Sequence, residues 1–182
     1  MLSDSNKIEK AENIVSQKEI YTGKYISLKV LTVEKAKGYS QRELIEHPGT
    51  ILLIALTEDR KLVLNKIYRK SIDEYSTELP SKRIDSNENH LDVIKNEMLE
   101  ELGYEVDNIK NVYSFYPSIA YSDEKVYMYV TDVRKVKDVN VCSTFSTMEV
   151  SLDLIKERFD ELGIIDAKSI VGIDYILKEF NL

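Results

Sequence analysis

Three glutamates near the end of one predicted helix are the residues in this sequence best suited to chemistry. The apolar pattern from His90 to Leu102 predicts that helix. Glu97, Glu100 and Glu101 lie beside its apolar face. Glutamates three and four residues apart repel one another, and the negative end of the helix dipole adds to the cost. A hard cation such as Mg²⁺ would offset it. The alternative is a solvated helix end that binds nothing.

The elements around this helix predict a domain of the mixed α/β class. The helix has Asn87 or Asn89 as a possible N-cap and Gly103 as its stop. The apolar run Ile51 to Leu56 has the length of a strand buried on both faces, and a hairpin leads from it to the next strand. Other extended patterns cover residues 1–50, Val106 to Tyr116 and Lys125 to Val133, and two more helices are expected at Leu152 to Leu162 and Ala167 to Phe180.

The composition limits the class of protein and its partners. With 182 residues, 43% of them apolar and 31% charged, the chain is long enough for one globular domain with a small appendage. A net charge of -7 is the wrong sign for wrapping a nucleic acid. No apolar run is long enough to cross a bilayer, and the N-terminus lacks a signal-peptide core. The lone Cys142 forms no internal disulfide. We expect a cytoplasmic protein with no nucleic-acid or membrane partner.

The segment Glu78 to Ile84, with Glu88 and then Asn96 to Tyr104, resembles the Nudix box, G-x5-E-x7-R-E-U-x-E-E-x-G-U, in which U is a bulky apolar residue. The pattern itself spans residues 82–104, which are called the box below. Seven of the nine specified positions match at the right spacing. The flanking segments resemble one subgroup of this family, the ADP-ribose pyrophosphatases. Those segments are Arg42 to Gly49, Tyr68-Arg69, Phe115 to Ser118, Ser122 to Glu124 and Asp166 to Ile170.

The resemblance implies a fold and an activity. The fold would be a Nudix α/β/α sandwich over residues 49–182, preceded by a β-meander subdomain over residues 1–48 that is exchanged in a homodimer. The activity would be metal-dependent hydrolysis of a small nucleoside diphosphate-linked compound. ADP-ribose, cleaved to AMP and ribose 5-phosphate, is the expected substrate.

The resemblance also implies roles for particular residues. A Mg²⁺ or Mn²⁺ ion would be held by Glu97, Glu100, Glu101 and the carbonyl of Ser81. Catalytic roles fall on Glu100, Glu101 and Glu124. Contacts to the substrate are expected from Tyr21, Arg42, Glu43, Tyr68, Arg69, Ser118 and Glu124. For Arg42 and Glu43, a plain cross-strand ion pair is the alternative.

Three departures from the family pattern favour a second interpretation. Lys82 replaces the first glycine of the box, Asn96 replaces its arginine, and the loop from Val139 to Thr147 contains no acid. The Lys82 ammonium has three possible places: on a substrate phosphate, in an ion pair with Glu97 or Glu101, or in solvent. The alternative function is therefore a catalytically weak or inactive nucleotide-binding or sensor protein.

Overall fold

The computed structural model describes residues 12–85, 87–139 and 145–182. Cys142 and residues 140–144 of the loop without acids lie outside these ranges. The described chain divides into two compact units. The first contains residues 12–47 and Ser118–Glu124, and the second contains Pro48–Pro117 and Lys125–Leu182.

The first unit is built on a three-stranded antiparallel sheet in the order β1-β2-β3. Its strands are β1 (Asn13–Thr22), β2 (Ser27–Glu34) and β3 (Tyr39–Glu46). The segment Ser118–Glu124 joins this unit at the end of β3, where the Ile45 N–H donates to the carbonyl of Tyr121 over 2.7 Å. Every residue of β1 is exposed. The predicted β-meander is therefore present.

The second unit is a mixed sheet with helices. Its strands are β4 (Thr50–Thr57), β5 (Lys61–Arg69), β6 (Glu74–Glu78), β7 (Ser81–Arg83), β8 (Tyr104–Phe115), β9 (Val126–Lys135) and β10 (Phe145–Ser151). The order is β10-β5-β4-β9-β8, with β6 paired to β5 and β7 paired to β4. The pair β4–β9 is parallel and the other pairs are antiparallel. The prediction of a mixed α/β fold is confirmed.

Strand β4 forms the centre of this sheet, as its apolar run predicts. Leu52 and Ile54 belong to the core cluster on one face, which also contains residues of the last helix, α3 (Ala167–Glu179). Ile51 and Leu53 belong to the cluster on the other face, which contains residues of the box. A β-carbon added to Gly172 of α3 would lie 2.5 Å from Leu79 Cδ1, so this glycine permits the close approach of α3 to the sheet.

The predicted helix over residues 90–102 changes type halfway. Helix α1 (His90–Asn96) is followed by a π-helix, Glu97–Leu102, so the expectation of a continuous α-helix is wrong for the last six residues. Asn89 is the N-cap and accepts a hydrogen bond from the Leu91 N–H over 2.9 Å. Gly103 ends the π-helix at φ 81°, and its N–H donates to the carbonyl of Met98, five residues earlier.

The C-terminal helices begin at their predicted caps. Ser151 caps α2 (Leu152–Glu157), and Asp166 caps α3. The α-helix predicted to continue to Leu162 instead gives way to a 3₁₀ turn at Phe159–Leu162. None of the described helices is long and apolar enough to span a membrane.

Candidate functional site

The short strand β7 places consecutive residues at the start of the box on opposite faces. Ser81 pairs with Leu52 and Arg83 pairs with Thr50, whereas Lys82 between them pairs with Ile51. Side chains alternate along a strand, so Lys82 shares a face with Ile51. That is the face covered by the box helix.

Lys82 forms an ion pair with the first glutamate of the π-helix. Its Nζ atom lies 2.6 Å from Glu97 Oε2. The Glu97 side chain is only 15% exposed and that of Lys82 is 47% exposed. Of the three places expected for this ammonium, the structure therefore shows the ion pair with Glu97.

Three glutamates of the box interact electrostatically with the Lys82 ammonium. The hydrogen bond to Glu97 is the largest cause that raises the pKa of Lys82, and burial opposes it. The negative charges of Glu97, Glu101 and Glu88 act in the same direction as the hydrogen bond. Lys82 therefore carries its positive charge among the acidic residues of the box.

Glu100 lies elsewhere, although it is adjacent to Glu101 in the sequence. Its Oε2 atom is 2.8 Å from Lys137 Nζ, and its side chain is 63% exposed. A turn of π-helix contains one more residue in each hydrogen-bonded loop than a turn of α-helix, which changes the angle between Glu97 and Glu100. The structure thus brings Glu97 and Glu101 to Lys82 and places Glu100 on a different lysine.

This arrangement does not fit a divalent ion. A Mg²⁺ site needs several oxygen ligands free to point at one centre. Glu97 and Glu100 are instead paired with two different lysines. Within residues 12–85, 87–139 and 145–182, no group of three His, Cys, Asp or Glu side chains is placed to hold a metal ion. We therefore derive no step of the reaction through a metal.

A polar groove of about 630 Å³ lies on the other side of β7. Ser81 and Arg83 line it, together with Arg69 from the end of β5. The start of α3 closes it with Asp166 and Lys168. Three cationic side chains line this groove, each in an ion pair with a carboxylate: Arg69 with Glu78, Arg83 with Asp85 and Lys168 with Asp166. The predicted ligand residue Ser81 lies at its wall.

Arg69 is held in the groove by a carboxylate. Its Nε donates to Glu78 Oε1 over 2.7 Å, and its Nη2 donates to Glu78 Oε2. Glu78 is 3% exposed, whereas the Arg69 side chain is 41% exposed. The hydrogen bond from Arg69 to Glu78 raises the pKa of the guanidinium further above its usual value. A fork-shaped donor fixed in this way is suited to a phosphate or carboxylate ligand.

The start of α3 is tied to the same wall. Asp166 accepts hydrogen bonds from the N–H and the hydroxyl of Ser169, at 3.0 and 2.9 Å. The Ser169 oxygen accepts a bond from the Leu79 N–H over 2.9 Å. Lys168 Nζ lies 3.2 Å from Asp166 Oδ1. These bonds fix the cation of Lys168 relative to the strand that carries Glu78.

Tyr68 does not line this groove. Its hydroxyl donates to Asp73, and this bond is the largest cause that raises the pKa of Tyr68. Its ring packs edge-on against Tyr75 at 5.4 Å between centroids. Tyr68 and Arg69 are adjacent in β5, and alternation along the strand sends their side chains to opposite faces.

The other predicted substrate contacts lie in the first unit. Arg42 in β3 donates from Nε to Glu12 Oε2 over 3.1 Å and pairs across the sheet with Leu31. Glu43 pairs with Val30, so the ion pair of Arg42 is with Glu12 and not with its neighbour.

Tyr21, Ser118 and Glu124 complete that set. Tyr21 in β1 is 57% exposed. The carbonyl of Ser118 accepts hydrogen bonds from the N–H groups of Tyr121 and Ser122, and the Glu124 N–H donates to Ser122 Oγ over 3.1 Å. Their roles toward a ligand stay predictions.

Three residues of the groove were not predicted as site residues from the sequence: Glu78, Arg83 and Lys168. Glu78 and Lys168 stand inside the segments that carry the family resemblance, so the motif contained a signal for them. The signal for Arg83 was the alternation of β7, which becomes visible only once the pairing with β4 is known.

Comparisons with known proteins agree with the fold. No family model matches the chain. It is 28% identical over 170 residues to the methanol dehydrogenase activator of Bacillus methanolicus, covering 91% of this chain and 92% of that protein. It is also 28% identical over 174 residues to the ADP-ribose pyrophosphatase of Bacillus subtilis (strain 168), covering 92% and 94%. A crystal structure of an ADP compounds hydrolase superposes with a TM-score of 0.79 at 13% identity, over 96% of each chain.

These relatives and the structural match support the Nudix resemblance that the sequence predicts. The similarity to an ADP-ribose pyrophosphatase extends over nine-tenths of both chains.

Proposed function

We propose that the protein is a hydrolase of nucleoside diphosphate-linked compounds that cleaves ADP-ribose to AMP and ribose 5-phosphate. The observation that carries the proposal is the groove whose cations come from Arg69, Arg83 and Lys168. The similarity to the ADP-ribose pyrophosphatase of Bacillus subtilis (strain 168) supports the choice of substrate.

The size of the groove and the donors at its wall suit a diphosphate, which would compete with Glu78, Asp85 and Asp166 for the three cations. The groove volume of about 630 Å³ is in the range of pockets that enclose small ligands. Arg69 offers a planar fork of donors that Glu78 already orients, so little side-chain entropy is lost when a phosphate binds. We assign Arg69, Arg83 and Lys168 to binding and orienting the two phosphate groups.

In the reaction, water attacks one phosphorus of the diphosphate and the bond to the bridging oxygen breaks. The bridging oxygen leaves with one product, and the oxygen of water stays on the other. Cations fixed at the phosphates stabilise the charge that develops. Glu101 is the proposed catalytic glutamate on the strength of the resemblance; it is exposed beside the Lys82–Glu97 pair, on the face of β7 opposite the groove, so the proposal requires a substrate that reaches around the edge of β7. Catalytic roles for Glu100 and Glu124 remain secondary proposals.

The second candidate function is binding of the same ligands with little or no turnover. One observation favours it: the cationic groove and the glutamates of the box lie on opposite faces of β7. A relative of equal identity is named for activating another enzyme rather than for hydrolysis. In this function the groove binds the nucleotide, and the glutamates of the box contribute to the fold and not to catalysis.

The test measures turnover and binding separately. Release of AMP from ADP-ribose is followed with millimolar Mg²⁺, with millimolar Mn²⁺ and with EDTA, and ADP-ribose affinity is measured by calorimetry in EDTA. Two variants are compared with the unmodified protein: Glu101→Gln and the control Glu105→Gln. Glu105 is exposed and paired with Arg134, so its substitution leaves both the box and the groove intact.

A hydrolase releases AMP, loses most of that activity in Glu101→Gln and keeps it in Glu105→Gln. Loss of a catalytic glutamate is expected to cost about 10²–10⁴-fold in rate. Binding without AMP release in any condition would support the second function. If ADP-ribose neither binds nor turns over, both proposals fail.

A further inference from the structure

We propose that Lys82 is a built-in cation that stands in for a divalent ion at the glutamates of the box, so that ligand binding requires no metal. The inference rests on the proposed nucleotide-binding function and concerns the face of β7 opposite the groove. It assigns a role to Lys82, one of the positions at which the sequence departs from the family pattern.

The position of Lys82 in β7 sets the direction of its side chain. The strand pairs residue by residue with β4, and Ile51 lies opposite Lys82. Ile51 is fully buried in the cluster that contains Met98 of the π-helix. The backbone register therefore directs the Lys82 side chain toward the π-helix, where its Nζ atom reaches Glu97 over 2.6 Å.

The burial of Glu97 makes a nearby positive charge necessary. A carboxylate that is 15% exposed has lost most of its hydration and needs a nearby positive charge. Lys82 supplies that charge from its own chain. Removal of the ammonium breaks this ion pair and leaves a largely buried anion, which favours the binding of an external cation.

Two further carboxylates act on the ammonium of Lys82. Glu101 and Glu88 both act on Lys82 in addition to Glu97. Glu88 is itself held in place, because its Oε2 accepts a hydrogen bond from the Asp85 N–H over 2.7 Å. A divalent ion that binds Glu97 must first displace the Lys82 ammonium from this carboxylate. Lys82 is thus both a partner of Glu97 and a competitor of divalent ions.

The experiment measures Mn²⁺ binding directly, by electron paramagnetic resonance and calorimetry on the full-length protein without nucleotide. The variants are Lys82→Ala, Lys82→Gln and Lys82→Arg, of which the last keeps the positive charge. The control is Lys70→Ala, which removes an exposed lysine paired with Asp73 in the turn after β5. Thermal unfolding of each variant establishes that it is folded, and Lys82→Gln decides the question if Lys82→Ala is not.

We expect Lys82→Ala and Lys82→Gln to bind Mn²⁺ about tenfold more tightly than the unmodified protein, because a competing charge is gone. Lys82→Arg and Lys70→Ala should bind it as the unmodified protein does. The double variant Lys82→Ala/Glu97→Gln should lose the gain in Mn²⁺ affinity that Lys82→Ala shows. The proposal is overturned if the unmodified protein binds Mn²⁺ as tightly as Lys82→Ala.

A second measurement separates this inference from the proposed function. ADP-ribose affinity of the unmodified protein is measured in EDTA and in Mn²⁺, and equal affinities are expected. Binding that appears only with Mn²⁺ overturns the metal-independent role of Lys82. If ADP-ribose binds in neither condition while the Mn²⁺ gain in Lys82→Ala is present, the proposed nucleotide function has failed and the competition between Lys82 and metal stands.

Discussion

Arg69 donates two hydrogen bonds to Glu78, one from Nε and one from Nη2, and so closes the wall of the groove with a planar ion pair. The arginine is at the end of β5 and the glutamate is at the end of β6, which pair in one antiparallel ladder. Glu78 is almost fully buried, whereas Arg69 reaches solvent. The pair therefore contributes both to the stability of the sheet and to the surface of the groove.

Arg69→Ala should lower both stability and affinity for ADP-ribose. It leaves the Glu78 carboxylate buried without its guanidinium, and because Arg69 is partly exposed we expect a loss of about 2 kcal/mol in the free energy of unfolding. Urea denaturation measures this loss. In the double variant Arg69→Ala/Glu78→Gln part of it should return.

A matched control for Arg69→Ala is Arg134→Ala. Arg134 also pairs with a glutamate, Glu105, but both side chains are exposed, at 77% and 55%. Its removal should change the free energy of unfolding by less than about 0.5 kcal/mol and leave ADP-ribose affinity unchanged. An equal loss in the two variants would show that the Arg69–Glu78 pair has no special role.

Asp166→Asn should change how stability depends on pH. Burial alone raises the pKa of Asp166, but the charge of Lys168 and the hydrogen bonds from Ser169 outweigh it, so the pKa lies below its ordinary value. A lowered pKa in the folded state adds stability at pH values above the ordinary carboxyl pKa of about 3.9. This stability is lost as the pH falls through the lower folded pKa.

Urea denaturation of the unmodified protein and Asp166→Asn at a series of pH values tests this. At pH 7 the variant should be less stable by about 1 kcal/mol, since it keeps a cap but loses the charge beside Lys168. Below the folded pKa the two curves should converge. A difference that is constant from neutral to acid pH would contradict the assignment.

Gly103→Ala should be strongly destabilising. The residue has φ 81°, and an added β-carbon would lie 2.1 Å from the backbone oxygen of Lys137. The left-handed backbone and the clash together should cost more than about 2 kcal/mol in the free energy of unfolding. Thermal unfolding with a two-state check is the measurement.

Gly38→Ala separates the two causes. Gly38 has φ 85°, but an added β-carbon would have no atom within 4 Å. This substitution should cost only the left-handed strain of about 1 kcal/mol. If Gly103→Ala is no worse than Gly38→Ala, the contact with Lys137 does not constrain the end of the π-helix.

A homodimer remains a prediction of the sequence, and the exposed apolar residues of β1 offer a way to test it. Ile14, Val15 and Ile20 are 61%, 55% and 48% exposed. Light scattering after size exclusion should give twice the chain mass of 21.1 kDa. Ile20→Asp should shift the protein toward the monomer, because a charge in an apolar interface is costly. The control Leu154→Asp changes a similarly exposed apolar residue of α2. A monomeric unmodified protein would refute the prediction.

Several features of the fold followed from local sequence alone. The apolar run in β4 predicted the central strand, because a strand buried on both faces has no polar alternation. Asn87 or Asn89 was predicted to begin the box helix and Gly103 to end it, because caps act on neighbouring backbone groups, and Asn89 and Gly103 are the observed limits. The π-helix at residues 97–102 was not predicted, because its residue types also suit an α-helix.

The sequence by itself determined which chemistry-bearing residues the protein has: the glutamates of the box, a lysine in place of its glycine, and Arg69. The tertiary structure decided which of them meet. Pairing of β7 with β4 turned Lys82 toward Glu97 and Arg83 toward the groove of Arg69. The physical reason is that spacing fixes neighbours only within one helix or strand, whereas contacts between elements depend on strand register and on the face that each side chain occupies.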